Sequence, residues 1–233
     1  MNSEETTKFL DKVQLEGAQD LSDNDLVAIV REKDTERYGE IIERYQGRLF
    51  AYLYRLVGSK EEAEDLLQDV FIKAYKNINS YDIERKFSSW VYRIAHNEAV
   101  NHIKRKSLKR FIPWENITAT KDKLEMSSGE EAADSAWIRK ETSQEVDEAI
   151  NRLPFKYKQV LVLRYYSDKS YEEISEILGK PINTVGTLIN RAKKKMLSEV
   201  KNSKGDNFIF PGHFFRVKKS RQSNNRYFYE KRE

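Results

Sequence analysis

Apolar side chains recur at steps of three and four residues through much of this 233-residue chain, and this spacing predicts amphipathic helices. The clearest stripe contains Tyr38, Ile41, Ile42, Tyr45, Leu49, Leu53 and Leu56. Gly58 follows it and permits the left-handed turn that commonly ends a helix. The chain has only nine glycines and four prolines, which are too few for the many turns of a β-sandwich or barrel. We therefore predict an all-α protein.

The first half of the chain contains the signals of a compact helical bundle. Its predicted helices cover residues 24–32, 36–57, 60–78 and 86–106. Ser59 is a natural N-cap for the third of them, and acidic residues follow in the first turn, where the helix dipole favours negative charge. We predict a helical domain over residues 23–110, preceded by an N-terminal extension over residues 1–22.

Composition changes in the middle of the chain. Residues 111–141 lack apolar periodicity and carry seven acidic residues against four basic ones, which predicts a flexible linker. Helical signals resume over residues 142–200, which we predict to form a second domain. Within it, a short helix capped by Ser170, a turn at Gly179 and a longer helix from about residue 183 have the spacing of a helix-turn-helix.

The C-terminal tail over residues 201–233 is basic and aromatic. Nine basic residues face three acidic ones there, and seven Phe and Tyr residues are interleaved with them. The first 200 residues carry a net charge of −2, so the tail alone makes the protein basic. This composition is compatible with binding to nucleic acid or to a membrane surface, with packing against the second domain, and with a disordered end.

Several classes of function are excluded by composition. The chain contains no cysteine, which excludes disulfides, thiolate nucleophiles and cysteine-ligated zinc, and it has only three histidines. The longest aliphatic run, Leu26–Val30, is far shorter than the ~20 residues that span a bilayer. We expect no catalytic residues, metal, cofactor or small-molecule substrate, no stable membrane insertion, and a cytoplasmic location.

Two sets of motifs, one in each predicted domain, carry a family resemblance. The first set is Ala63–Phe71 (AEDLLQDVF), Trp90, Ile94-Ala95 and Asn97. The second set is Leu153-Pro154, Val160–Arg164, Tyr171–Ile174, Glu176–Gly179 and Thr184-Val185. In this order they resemble conserved regions 2 and 4 of bacterial RNA polymerase sigma factors of the extracytoplasmic-function (ECF) group, within the sigma-70 family.

The resemblance implies both a fold and a function. The fold is a region 2 helical bundle and a region 4 helix-turn-helix domain joined by a linker. The function is that of a dissociable subunit that binds core RNA polymerase, recognises the minus-ten and minus-thirty-five elements of promoter DNA, and promotes DNA melting and transcription initiation. Such a protein is not an enzyme, and an anti-sigma factor is a candidate further partner.

An acidic strip on the helix over residues 60–78 is suited to bind a basic helix of the polymerase. Its members are Glu61, Glu62, Asp65, Gln68 and Asp69. The alternative interpretation of this strip is an ordinary solvated helix face.

A polar stripe on the helix over residues 86–106 is predicted to contact the minus-ten element, because cations and amides on one rigid face suit a nucleic-acid backbone and base edges. It contains Arg93, Asn97, Asn101, Lys104 and Arg105. The preceding loop over residues 77–85 resembles the family's base-capturing loop, and Tyr81 can stack an unpaired base there. The other residues predicted to contact the minus-ten element are Arg85, Lys86 and Trp90. The alternatives are a core role for Trp90 and a loop-anchoring role for Tyr81.

The helix-turn-helix is predicted to bind the minus-thirty-five element. The predicted contacts are Ser170, Asn183, Thr184, Thr187, Asn190, Arg191 and Lys194. Asn and Arg pair bidentately with adenine and guanine edges, and Arg191 is the first choice for a base contact. The family commonly has Gly-Thr-Val-Lys-Ser-Arg where this chain has Asn183–Leu188, so Gly186 and Leu188 replace a basic pair. Asn101 likewise stands where the family usually has Asp. We therefore expect an atypical promoter preference.

Two other functions are compatible with parts of the sequence. A sigma-like interaction or decoy protein would bind polymerase or an anti-sigma factor without initiating transcription. A divalent-metal nuclease would use Glu61, Glu64, Asp65 and Asp69. The nuclease is disfavoured because these carboxylates form a row at helical spacing and not a convergent pocket.

Overall fold

The structure is a computed structural model that describes residues 21–32, 34–111, 149–201, 207–209, 215–219 and 227–231. Its N-terminal module contains helices α1 (Asp23–Glu32), α2 (Tyr38–Val57), α3 (Lys60–Asn77) and α4 (Phe87–Phe111), with 3-10 turns at Thr35–Arg37 and Ile78–Ser80. Its C-terminal module contains α5 (Phe155–Leu161), a π-helical turn (Val162–Tyr166), α6 (Tyr171–Leu178) and α7 (Ile182–Lys201). The predicted linker lies outside the described residues apart from Phe111, and so do residues 1–20 of the predicted extension.

The helix ends follow the signals in the sequence. At the start of α3 the Ser59 side chain accepts a hydrogen bond of 3.3 Å from a backbone N–H of the first turn, and Gly58 ends α2 with φ at 82°. At α6, Ser170 and Glu173 form a reciprocal capping box with N···O distances of 3.1 and 2.9 Å. Gly179 ends α6 in the left-handed region with φ at 59°. These caps satisfy backbone groups that helix ends leave unpaired, which fixes the helices close to their predicted bounds.

One apolar core runs continuously through both modules. Its N-terminal part includes the buried residues Leu26, Leu49, Leu53, Val70 and Val91. Its C-terminal part includes Val160, Leu163, Ile174, Val185, Ile189 and Met196. Helix α4 packs against α6 at the boundary between the modules, and the His96 ring stacks on the Phe155 ring at 6.3 Å between centroids. The prediction of two helical domains is confirmed, and the two domains are in direct contact.

The tail contains three short strands that the sequence analysis did not predict. They are β1 (Asn207–Ile209), β2 (Phe215–Lys219) and β3 (Tyr227–Lys231), and they pair antiparallel in the order β1-β2-β3. In the register, Phe208 pairs with Val217, and Val217 pairs with Tyr229. Apolar and charged residues alternate in β2, and this alternation is the pattern that predicts a strand. It extends over only a few residues of a tail whose composition is mainly basic and aromatic.

The described residues also bear on membrane and metal binding. Among them, no helix is both long enough and apolar enough to cross a membrane. Within the same ranges, no three His, Asp or Glu side chains come close enough to hold a metal ion.

Candidate DNA and polymerase interfaces

The helix-turn-helix presents a polar row on the outer face of α7. Val185, Ile189, Ala192 and Met196 are buried at steps of three and four residues, so α7 packs with one face against the rest of its module. The same periodicity places the predicted DNA-contacting residues of α7 on the opposite face. All six of them are exposed, namely Asn183, Thr184, Thr187, Asn190, Arg191 and Lys194.

Ser170 differs from the other predicted minus-thirty-five contacts. Its hydroxyl accepts the Glu173 backbone N–H and forms half of the α6 capping box. The residue is only half-exposed. In this structure the Ser170 hydroxyl therefore caps α6, and contact of this residue with the minus-thirty-five element stays a prediction.

Gly186 departs from the family pattern without a steric reason in its surroundings. A β-carbon at this position would lie 3.6 Å from the Tyr171 ring of α6, which is an ordinary van der Waals distance. The Arg164 guanidinium lies 5.8 Å from the centre of the same ring, within the range of a cation–π contact. Packing therefore does not explain why a glycine stands here.

Helix α4 presents the polar stripe predicted for the minus-ten element. Its opposite face, which includes Val91, Tyr92, Ala95 and Ala99, is buried in the core. The predicted stripe is fully exposed and consists of Arg93, Asn97, Asn101, Lys104 and Arg105. At this surface the helix therefore offers cations and amides together on one rigid face.

An open pocket lies beside the start of α4, between this helix and the preceding loop. It has a volume of about 310 Å³, and it is lined by Ser80, Tyr81, Asp82, Arg85, Trp90 and Arg93. Trp90 is half-buried, so its ring both packs on the core and forms part of the wall. Arg85 is exposed with its Nε 3.3 Å from Asp82 Oδ2, and Lys86 is exposed with its Nζ 3.9 Å from Glu173 Oε1.

Tyr81 does not stand free to stack a base, which corrects the prediction for this residue. Only 3% of it is exposed, and its ring packs against Phe87 and Trp90 at 5.4 and 5.2 Å between centroids. Its hydroxyl donates to Asn24 Oδ1 at 2.7 Å, and the Arg85 carbonyl is a second partner. Burial raises the pKa of Tyr81 to about 12, against the lowering effect of Arg31. Tyr81 anchors the loop, which was the alternative interpretation.

Two residues of α1 that the sequence analysis did not single out also hold this loop. The Asn24 side chain donates to the carbonyl oxygens of Ile83 and Arg85 at 2.6 and 3.1 Å. Arg31 donates through Nε to the Ile78 carbonyl at 2.8 Å. These donors lie about 50 residues or more from the loop in sequence, so no local pattern could reveal them.

The acidic strip lies along the exposed surface of α3. Glu61, Asp65, Gln68 and Asp69 are exposed, as predicted for a polymerase contact. Glu62 is separated from them, because its carboxylate pairs with Lys106 and lies 3.0 Å from His102 Nε2. Burial acts to raise the pKa of Glu62, but the contacts with Lys106 and His102 outweigh it and lower the pKa. Glu62 thus joins α3 to α4 and is not part of the free strip.

The same helix exposes two large apolar side chains beside the strip. Ile72 is 52% exposed and Tyr75 is 44% exposed. Neither residue belongs to the buried face of α3, which carries Ala63, Leu66, Val70, Phe71 and Ala74, and this position off the buried face was the signal that could have identified them. Exposed apolar residues bordered by charges are typical of a protein-binding surface.

The sequence matches two families, one in each module. Residues 41–109 match sigma-70 region 2, and residues 143–196 match sigma-70 region 4. The chain is 36% identical to the ECF RNA polymerase sigma factor SigW of Bacillus subtilis over 177 residues, which cover 74% of this chain and 94% of that protein. It is 32% identical to the ECF RNA polymerase sigma-E factor of Haemophilus influenzae over 188 residues, which cover 78% and 97% of the two chains.

Solved structures share the fold. CnrH in complex with the cytosolic domain of CnrY matches with a TM-score of 0.57 at 21% identity and covers 78% of this chain and 99% of that chain. The sigma factor RpoE in complex with the anti-sigma factor NepR from Bartonella quintana matches with a TM-score of 0.55 at 20% identity and covers 72% and 99%. The two family matches and the relatives above show that this chain belongs to the sigma-70 family of RNA polymerase sigma factors and, within it, to the ECF group.

Proposed function

We propose that this protein binds core RNA polymerase, recognises the minus-ten and minus-thirty-five elements of a promoter through α4 and α7, and promotes DNA melting and transcription initiation. The observation that carries the proposal is the exposure of two polar stripes, one in each sigma region, on helices whose other faces are buried. We assign binding of core polymerase to a third exposed surface, the acidic strip of α3.

The minus-thirty-five element is the ligand proposed for α7. In a helix-turn-helix the second helix lies in the major groove, where each base pair presents a distinct pattern of donors and acceptors. Asn190 and Arg191 are exposed on α7 and carry the side chains that pair bidentately with adenine and guanine. Lys194 and Thr187 suit phosphates and thymine methyl groups. Gly186 supplies no side chain to the groove, so base recognition falls on the later turns of the helix.

The minus-ten element is the ligand proposed for α4 and the pocket before it. The half-buried Trp90, the exposed Arg93 and the anchored Tyr81 all line the pocket. An aromatic wall with a neighbouring cation favours an unstacked base, and stacking is worth about 1–3 kcal/mol per base. This gain is comparable with the few kcal/mol that unstacking costs, so capture of a base offsets melting.

Core polymerase is the partner proposed for α3. Glu61, Asp65 and Asp69 supply negative charge, which sets orientation and association rate at an interface. Ile72 and Tyr75 supply apolar area, which charge alone lacks. The acidic strip and these two apolar side chains therefore suit a partner helix that carries basic residues beside an apolar face.

An anti-sigma factor is a further partner that we propose. RpoE was solved with the anti-sigma factor NepR, and CnrH was solved with the cytosolic domain of CnrY. This chain shares the fold of both proteins, and its exposed interfaces are surfaces that such a partner can cover.

Transcription with core polymerase tests the proposed function. Purified chain and core polymerase are combined with a library of genomic fragments on supercoiled plasmids, and the 5′ ends of the transcripts are sequenced. We expect start sites that need the chain and share two upstream elements. If the chain co-elutes with core polymerase but adds no start site, it is a sigma-like decoy and the proposal is wrong.

A further inference from the structure

The C-terminal tail carries an excess of positive charge and lies beyond the family match. The match to sigma-70 region 4 ends at residue 196. The tail over residues 201–233 has nine basic residues against three acidic ones, and residues 216–226 contain five basic residues and no acidic one. The surfaces assigned so far to promoter DNA and polymerase leave this charge without a ligand.

The strands of the tail bring its basic and aromatic residues together. Strand β2 contains three basic residues and no acidic one, and it lies between β1 and β3 in the sheet. Three of the five register positions that join β2 to β3 pair a basic residue with an aromatic one, namely Phe215 with Lys231, Lys218 with Phe228 and Lys219 with Tyr227. The basic strand is therefore the central strand of the sheet.

The connection between α7 and this sheet is short. Helix α7 ends at Lys201 and β1 begins at Asn207, so only residues 202–206 lie between them. At ~3.3–3.6 Å per residue of extended chain, the sheet begins within roughly 20 Å of the end of α7. Duplex DNA carries one negative charge per ~1.7 Å of its axis, so a length of about 20 Å holds about a dozen phosphate charges. DNA that is bound to α7 is therefore within reach of the tail.

The start of α7 lacks the charge that the tail supplies. Its first eight residues, Ile182–Ile189, contain no basic residue, and Gly186 and Leu188 stand where the family commonly has a basic pair. Fewer cations at the duplex release fewer counterions, which weakens binding to DNA. A second basic surface close to α7 compensates for this loss.

We propose that the sheet of the tail binds the phosphates of duplex DNA beside the element that α7 occupies, through the basic residues of β2. The inference rests on the proposed function, because α7 brings the tail to promoter DNA. Binding to phosphates is independent of base sequence, so the tail adds affinity and α7 retains the choice of element.

A membrane surface is the alternative ligand for a basic and aromatic segment, and the register disfavours it. Segments that lie on a membrane separate charged positions from apolar ones. Here basic and aromatic residues occupy the same register positions in β2 and β3, so the two types are mixed. Aromatic residues also favour strands, which accounts for their presence without a lipid ligand.

Binding of the complete polymerase complex to two promoter fragments tests the proposal. Both fragments contain one mapped start site and its two elements. The shorter ends at the upstream edge of the minus-thirty-five element, and the longer extends about 30 base pairs further, which exceeds the reach of the tail at ~3.4 Å per base pair. We expect tighter binding to the longer fragment, and equal affinities for the two fragments overturn the proposal.

Neutral variants assign the upstream contact to β2. Lys218→Gln with Lys219→Gln should reduce the preference for the longer fragment at least fivefold. The slope of log affinity against log salt should become shallower by about two, because each phosphate contact contributes ~0.9. Lys8→Gln with Lys12→Gln changes the net charge equally at the other end of the chain and is the matched control. If both double variants keep the preference and the slope of the parent, the proposal is overturned.

A conservative variant separates loss of charge from loss of the sheet. Lys218→Arg with Lys219→Arg retains both charges and should bind the longer fragment as the parent does. If this variant loses the preference as fully as the glutamine variant does, the contact does not depend on charge, which overturns binding to phosphates.

Flotation with vesicles of phosphatidylglycerol and phosphatidylethanolamine tests the membrane alternative on the full-length chain. We expect no flotation that depends on Lys218 and Lys219. Flotation that is lost in the glutamine variant, together with an unchanged preference for the longer DNA fragment, overturns the proposal in favour of lipid.

Failure of this proposal is distinguishable from failure of the proposed function. Transcription from the shorter fragment needs the two promoter elements but no DNA upstream of them. If that transcription persists while the upstream DNA and the variants have no effect, only the proposal for the tail is overturned. If the polymerase complex binds neither fragment, both proposals are overturned.

Discussion

At the scale of single residues, a polar side chain is available to a ligand only where other groups of the protein do not already hold it. Arg93, Asn97 and Arg191 are exposed as the periodicity of their helices predicts. Glu62 and Tyr81 are instead paired with Lys106 and Asn24, which lie 44 and 57 residues away in sequence. Whether a polar residue is free to bind thus depends on side chains that no local pattern identifies.

Removal of the Tyr81 hydroxyl should destabilise the N-terminal module. Tyr81→Phe leaves Asn24 Oδ1 without the donor that it has in this structure, at an expected cost of about 1–2 kcal/mol in the free energy of unfolding. Urea unfolding measures this value, and Tyr75→Phe at an exposed position is the control. An unchanged free energy for Tyr81→Phe would show that the loop is not held by this hydroxyl.

Truncation of Arg191 should weaken contact with the upstream promoter element. We expect Arg191→Ala to cost about 1–3 kcal/mol in binding of the polymerase complex and to relax preference at one base pair, because a bidentate base contact is lost. Binding titrations on a set of single-base promoter variants measure both effects. Ser198→Ala, exposed later on the same helix, should leave affinity unchanged. If the two variants bind alike, another residue contacts the base.

At the scale of elements, the helices and their caps were predictable and the irregular segments were not. Ser59, Gly58 and Gly179 fix helix ends through local hydrogen bonds and backbone conformations that the sequence specifies directly. The π-helical turn Val162–Tyr166 follows α5 directly and contacts α2 of the other module, and no cap or turn residue in the sequence marks it. The three tail strands likewise depend on pairing between separate segments.

Charge reversal on the exposed face of α3 should weaken binding to core polymerase. We expect Asp65→Lys with Asp69→Lys to lower affinity at least tenfold while helicity measured by circular dichroism stays unchanged, because both side chains are exposed. Glu36→Lys with Glu43→Lys changes the net charge equally on a different surface and is the control. Equal affinities for the two double variants would show that the strip of α3 is only solvated.

At the scale of the whole molecule, the order of the two modules was predictable and their contact was not. The motifs of each region specify a local fold, whereas the boundary joins Lys169 to Ser88 and Phe155 to His96 across many residues of chain. No pattern in the segment around any of these four residues indicates such a contact. The contacts form only when the surfaces of the two modules pack together.

The boundary should lose stability in acid through His96. Burial, reinforced by the charge of Lys180, lowers the pKa of His96 from 6.5 to about 4. The folded state therefore favours the neutral imidazole of His96. The resulting contribution of His96 to the free energy of unfolding is complete above about pH 6.5 and is lost as the pH falls toward 4. Between pH 7 and 4.5 we expect the unfolding free energy of His96→Asn to fall by about 1–3 kcal/mol less than that of the parent. Parallel pH profiles in urea unfolding would contradict this.

Promoter recognition by two separate modules is tested most directly by mapping the bases that each module contacts on DNA. A photocrosslinking amino acid is placed at Asn97 on α4 or at Asn190 on α7, and the crosslinked bases are mapped in the open complex with core polymerase. We predict that position 97 crosslinks to the minus-ten element and position 190 to the minus-thirty-five element, about 25 base pairs upstream. Crosslinks from both positions at one element, or from neither position, would contradict promoter recognition by two separated modules.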